Sequence, residues 1–80
     1  MQRDPVSSTT LKSVGYDDDL QILELEFVHG DVYQYLDVPM EEYAELMNAD
    51  SLGSYFSHNI RGVYEYRNVD EKVRSLKFKV

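Results

Sequence analysis

Residues Val32 to Pro39, VYQYLDVP, constrain the fold of this chain more than any other stretch. Tyr33 and Tyr35 sit two apart, so a β-strand turns both toward one face. Pro39 ends that strand because it offers no N–H to a ladder, and its fixed φ suits the first turn of a helix. One short run therefore specifies a strand, one of its faces, its end and the start of a helix.

That strand must pair with what precedes it. Gln21 to Val28, QILELEFV, alternates Leu23, Leu25 and Phe27 with Glu24 and Glu26, the pattern of a sheet wetted on one side. If Val28, His29 and Gly30 form a three-residue hairpin loop, Gly30 takes its left-handed position and makes a bulge. Phe27 then opposes Asp31, Leu25 opposes Tyr33 and Leu23 opposes Tyr35, with all of these but Asp31 forming one apolar and aromatic face. Glu24, Glu26, Val32 and Gln34 fall on the other. A slip of one residue would set the tyrosines against glutamates, so the pattern selects the register.

Upstream, residues 1–10 read as an extended lead-in, Thr9 to Tyr16 as a first strand, and Asp17-Asp18-Asp19 as a hairpin loop of mutually repelling acids. Downstream, Pro39 to Ala49 shifts to a helical period carried by Met40, Tyr43 and Met47, with Glu41, Glu42 and Glu45 near the positive end of the helix dipole. Ser51 is the expected N-cap of a second helix whose apolar stripe is Leu52, Tyr55, Phe56 and Ile60, with Val63 beyond. Gly53 in its first turn implies close packing against a neighbour. Val63 to Arg67 alternates as a last strand. In the tail, Leu76 to Val80 alternates like an edge strand, while Asp70 to Leu76 fits a helical turn or two equally well. The order is β-β-β-α-α-β: an α+β domain of an antiparallel β-meander, two short helices and a final strand, in which the meander lays its tyrosine-rich face against one or both helices.

Eighty residues make one small domain, in which an enclosed active-site cavity would compete with the core for few apolar side chains. The chain has no cysteine, which removes disulfides and thiolate metal sites. No apolar run approaches the ~18 residues of a membrane span. MQRDPVSS does not read as a signal peptide, so the cytoplasm is the expected location and no membrane partner is expected. The net charge of −7 conceals an asymmetry: residues 1–60 sum to −10 and residues 61–80 to +3. Bulk electrostatics therefore oppose coating of nucleic acid, but a local basic edge near the C-terminus remains.

Residues able to carry chemistry are sparse. His29 and His58 lack ligand-spaced partners, no serine sits in a nucleophile elbow, and the glycines make no phosphate loop. No catalytic residue, metal, cofactor or small-molecule substrate is expected, and the chain is expected not to be an enzyme. The aromatics stand out instead: seven tyrosines and three phenylalanines. Tyr33 and Tyr35 share a face with Leu23, Leu25 and Phe27, which favours core over an exposed stacking platform. Aromatic and basic groups coincide only over Arg61, Tyr64, Tyr66 and Arg67, the candidate nucleic-acid contacts. On a strand Tyr64 and Tyr66 would share a face and Arg67 would point away, which leaves Arg61 as the better partner of the tyrosines.

In succession, SSTTLKSVGYD, LELEF, HGDVYQYLDVP and LMNADSLGSYFSHNIRGVYEYR resemble the KTSC domain, a family named for a C-terminal extension of some lysyl-tRNA synthetases and found also as short stand-alone bacterial proteins. The resemblance rests on Tyr33 and Tyr35 followed by Val38-Pro39, then on Ser51, Gly53, Tyr55-Phe56, Ile60-Arg61 and Tyr64. It covers residues 7–67 as one domain and leaves 68–80 as a C-terminal extension to which it assigns no structure. It implies structural roles for Tyr33, Tyr35, Pro39, Ser51, Gly53 and Phe56. The family's occurrence on a synthetase suggests RNA binding, and the chain is read as a non-enzymatic binding module with RNA as the leading ligand class and a protein partner, held at a sheet edge or aromatic patch, as the alternative.

Overall fold

The computed structural model describes residues 1–69 and shows one five-stranded antiparallel sheet in the order β1-β2-β3-β4-β5. The strands are β1 (Asp4–Pro5), β2 (Leu11–Asp17), β3 (Ile22–Phe27), β4 (Val32–Tyr35) and β5 (Tyr66–Val69). Two helices, α1 (Met40–Asn48) and α2 (Leu52–Tyr55), intervene between β4 and β5, and α2 runs directly into a π-helical turn over Phe56–Ile60. The architecture is α+β, as the periodicities imply, with the order β-β-β-β-α-α-β. None of the described helices is long and apolar enough to cross a membrane.

The β3–β4 hairpin has the register that its alternation demands. Leu23 faces Tyr35 and Leu25 faces Tyr33. Gly30 lies at φ +108° and donates its N–H to Phe27 O at 2.9 Å, while Phe27 donates to Asp31 O at 2.9 Å. A residue with a Cβ is strained at that φ, so the glycine fixes the loop and the loop fixes the pairing. In β2 the alternation is weak because an irregularity between Leu11 and Ser13 inserts an extra residue: Leu11 pairs with Phe27 and Ser13 with Glu26. The kink lets both Leu11 and Val14 reach the core.

That core lies between the sheet and the helices. Leu11, Val14, Leu23, Leu25, Val38, Leu46 and Ile60 are buried completely, and Phe27 and Phe56 nearly so. Phe56 is the main link between the layers, meeting Phe27 edge-on at 5.3 Å and Tyr35 edge-on at 5.6 Å. At the other end Tyr16 stacks on Tyr43 at 4.7 Å and donates its hydroxyl to Val38 O at 2.6 Å, which ties α1 to β2. Pro39 is the residue before the first turn of α1. Ser51 caps α2, its side chain accepting the Ser54 N–H at 3.2 Å. A Cβ on Gly53 would stand 2.5 Å from Thr10 Oγ1, which is the close approach that a glycine in a first turn implies.

Three expectations are corrected. The lead-in contributes a strand, β1, which is too short to show a period and pairs Asp4 with Val14 and Pro5 with Ser13. The last strand begins at Tyr66 rather than Val63, because Val63 and Tyr64 turn back to donate to Ile60 O at 3.1 and 3.2 Å and satisfy the helix end. Val63 is accordingly exposed rather than part of the buried stripe. The second face of the sheet is not simply wet. Glu24 is 4 % exposed, held by Arg3 and by the Gln34 amide at 2.7 Å, and Val32 on that face is buried too. The expected edge strand or helical turn in the tail from Asp70 to Val80 lies outside the described residues.

Two substitutions test this packing. Phe56→Ala should lose about 3–5 kcal/mol in chemical denaturation, because it removes the ring that joins the layers. Gly53→Ala should destabilise by about 1–3 kcal/mol, the overlap with Thr10 outweighing the gain in helix propensity of about 1 kcal/mol. A more stable Gly53→Ala protein would show that the close approach to Thr10 is not a constraint.

Candidate functional site

The π turn that follows Phe56 determines what stands beside the sheet. The Asn59 side-chain amide donates to Tyr55 O at 3.2 Å, and His58 Nδ1 lies 2.7 Å from Ser54 O. These side chains compete for the carbonyls that the His58 and Asn59 N–H groups would take in an α-helix. The turn widens, and Arg61 closes it by donating its N–H to Phe56 O at 2.9 Å. Wide turns of this kind often occur at functional sites.

A cleft of about 410 Å³ opens between this turn, the β3–β4 hairpin and β5. That volume is in the range of small-ligand sites. Its lining combines the buried rings of Phe27, Tyr35 and Phe56 with the more exposed Tyr33, Tyr66 and His29, and includes Arg61. Tyr66 stands directly across from Tyr35 in the ladder. Its ring lies 5.3 Å from that of Tyr33 and 5.5 Å from that of Tyr35, tilted in both cases. Tyr66 is 59 % exposed, Tyr33 is half-buried and Tyr35 is 3 % exposed, so the three rings step from solvent to core. His29 lies parallel to Phe27 at 5.5 Å and meets Asp31 at 3.5 Å.

Of the four residues suggested for nucleic-acid contact, the structure brings two together. Arg61 and Tyr66 line the cleft. Tyr64 sits in the turn, not on a strand with Tyr66, and donates its hydroxyl to Glu42 Oε1 at 3.0 Å on α1. Arg67 is on the outer face of the sheet, where its Nε donates to Gln34 Oε1 at 2.7 Å. Tyr33, Tyr35 and Phe56, first assigned structural roles, also form walls of the cleft. Sequence reasoning missed His29, Thr10 and Ser57. The Tyr33–Tyr35 face was readable from the hairpin, but which strand would lie beside it was not.

The electrostatics single out two groups. Among the described residues Arg61 has neither a carboxylate partner nor a side-chain hydrogen bond, whereas Arg3 and Lys12 face Glu24 and Glu26. The Tyr35 hydroxyl is pushed up to about 12, chiefly by burial, then by the Tyr66 and Tyr33 hydroxyls, with the Arg61 charge pulling it back. Away from the cleft, Tyr64 is raised by burial and by its hydrogen bond to Glu42, and Tyr55 by hydrogen bonding to Glu42, by burial and by Glu45.

The family pattern of the KTSC domain matches residues 7–64. The chain belongs to the KTSC domain family. An uncharacterised protein of Stutzerimonas stutzeri is 42 % identical over 71 residues, spanning 88 % of this chain and 100 % of the relative. The lysine–tRNA ligase of a Nostoc species is 39 % identical over 59 residues, which are 74 % of this chain but 10 % of the ligase. The crystal structure of a KTSC domain protein from Yersinia pestis superposes with a TM-score of 0.82 at 41 % identity, covering 86 % of this chain and 97 % of that one. The KTSC match includes the Arg61 side of the cleft and the Tyr33–Tyr35 pair, and it stops before Tyr66.

Burial of the Tyr35 hydroxyl makes stability depend on pH. A folded-state pKa of about 12 against an unfolded value near ~10 means that the neutral phenol stabilises the fold below about pH 10. That contribution should be lost as pH rises from about 10 to about 12. A spectrophotometric titration should show Tyr35→Phe lacking one of the latest tyrosinates, and an unchanged late limb would contradict the burial argument.

Proposed function

We propose that this KTSC domain is a non-enzymatic binding module whose aromatic cleft captures an unpaired nucleotide of single-stranded RNA. The observation that carries this reading is Arg61, unpartnered by any carboxylate among the described residues, standing on the same cleft as Tyr33 and Tyr66. A phosphate needs a cation whose charge is not already neutralised, and a base needs an aromatic face to stack on. The relationship to a stretch of lysine–tRNA ligases lends support from a different direction. His29 and His58 engage Asp31 and the Ser54 carbonyl and do not converge on a common point, which supports binding rather than catalysis.

Magnitudes set the expected strength. Stacking contributes ~1–3 kcal/mol per base and a charged contact to phosphate ~1.5–3, which together reach at most the ~5.5–7 kcal/mol of a Kd of ~10–100 μM, so one captured nucleotide gives weak binding. The −10 carried by residues 1–60 opposes it further. Fluorescent single-stranded RNA titrated at low salt should bind with a Kd of ~10–100 μM. Arg61→Ala and Tyr66→Ala should each weaken binding ~10-fold, while Arg67→Ala, on the outer face, should leave it unchanged. No binding by the wild type at ~100 μM would overturn the RNA reading in favour of a protein partner.

A further inference from the structure

Tyr35 combines two properties that do not normally coexist. Its side chain is 3 % exposed, yet its hydroxyl has no hydrogen-bond partner among the described residues. The other tyrosines that anchor elements use theirs: Tyr16 on Val38 O, Tyr55 on Glu42 and Glu45, Tyr64 on Glu42. Around the Tyr35 ring are the rings of Phe56 and Tyr33, edge-on, and of Tyr66, tilted, which leave its O–H unanswered. No fully sealed side-chain oxygen or nitrogen lacks a partner among the described residues, so the Tyr35 oxygen is not sealed and opens into the cleft that the residue lines. An unanswered hydroxyl at the floor of a mostly aromatic cleft is a reading head for whatever enters.

The geometry of a nucleotide specifies what would reach it. With phosphate and sugar left at the open rim, a pyrimidine enters with its N1 outward, and the substituent on C4, across the ring, goes deepest. For a purine the deep substituent is the one on C6. We propose, resting on the single-strand reading above, that Tyr35 donates its O–H to this deep substituent and selects a carbonyl oxygen there, so that the cleft prefers uracil and guanine to cytosine and adenine. A phenol can donate or accept, so the choice falls to Arg61, which lines the same cleft and whose charge acts on the Tyr35 hydroxyl. Positive potential there favours a carbonyl oxygen over an amino group.

The test compares oligouridylate with oligocytidylate of equal length, since the two differ at C4 and the adjacent N3 and not in ring size. The wild type should bind oligouridylate about five to ten times more tightly, the ratio that one net hydrogen bond supports. Tyr35→Phe should abolish that ratio while keeping the wild-type melting temperature at neutral pH, where the phenol is un-ionised and its O–H bonds no other described residue. On the ligand side, replacing uracil by 2-pyrimidinone, which lacks the C4 oxygen and the N3–H, should weaken wild-type binding by a similar factor and leave binding to Tyr35→Phe unchanged. Equal binding of the uridine and cytidine oligomers, or a ratio that survives both Tyr35→Phe and the 2-pyrimidinone replacement, would overturn the role of Tyr35 and leave RNA capture standing. Binding of neither oligomer would overturn both.

Discussion

The contact on which the rest of this structure depends is the ring of Phe56 set edge-on against Phe27 and Tyr35. It joins a helix to the two strands of one hairpin, and such pairs contribute about 0.5–1.5 kcal/mol each beyond the area they bury. Its position also sets how far the helix covers the sheet. The aromatic face continues past Phe56 to Tyr33 and Tyr66, where the π turn has carried the chain outward, and a cleft results. Stability and the candidate binding surface thus share the same rings.

Charge is distributed with the same economy. On the outer face Arg3, Glu24, Gln34 and Arg67 form a polar ladder across the sheet, and Ser13 donates to Glu26 at 2.8 Å beside it. A carboxylate as buried as Glu24 is tolerated only with its partners in place, so the N-terminal segment that delivers Arg3 is part of the sheet's electrostatics. That ladder, together with the pair Lys12–Glu26, commits the other described basic side chains to the outer face. Arg61 is left facing the cleft, which lies on the opposite side.

Much of this was legible locally. Gly30 and the alternation of Leu23, Leu25 and Phe27 specify a hairpin register through neighbours close in sequence, and Ser51 and Gly53 announce a capped helix start packed against something small. The candidate site was half legible. Arg61 and Tyr66 were recognisable as aromatic and basic neighbours, but the alternation of Val63, Tyr64, Glu65, Tyr66 and Arg67 suggested a strand where the chain is still satisfying the carbonyl of Ile60. A period of two over five residues cannot distinguish a strand from a helix-end turn that runs into one. Tyr64 was lost to Glu42 for that reason, and Arg67 to Gln34 because it falls on the other side of the pleat.

The amino-acid sequence by itself determined the elements whose partners are adjacent: the β3–β4 pairing, the face shared by Tyr33 and Tyr35, the turn into α1 at Pro39 and the cap at Ser51. Only the tertiary structure decided that β5 lies against β4, with Tyr66 opposite Tyr35, and that residues 4–5 close the far edge of the sheet. It alone decided that Arg61 and Tyr35 line one cleft. The reason is the range of the interactions. Turn chemistry and side-chain periodicity act over a few residues and leave a local pattern. The meeting of a helix end with a distant strand depends on how layers pack, which no short window of sequence records.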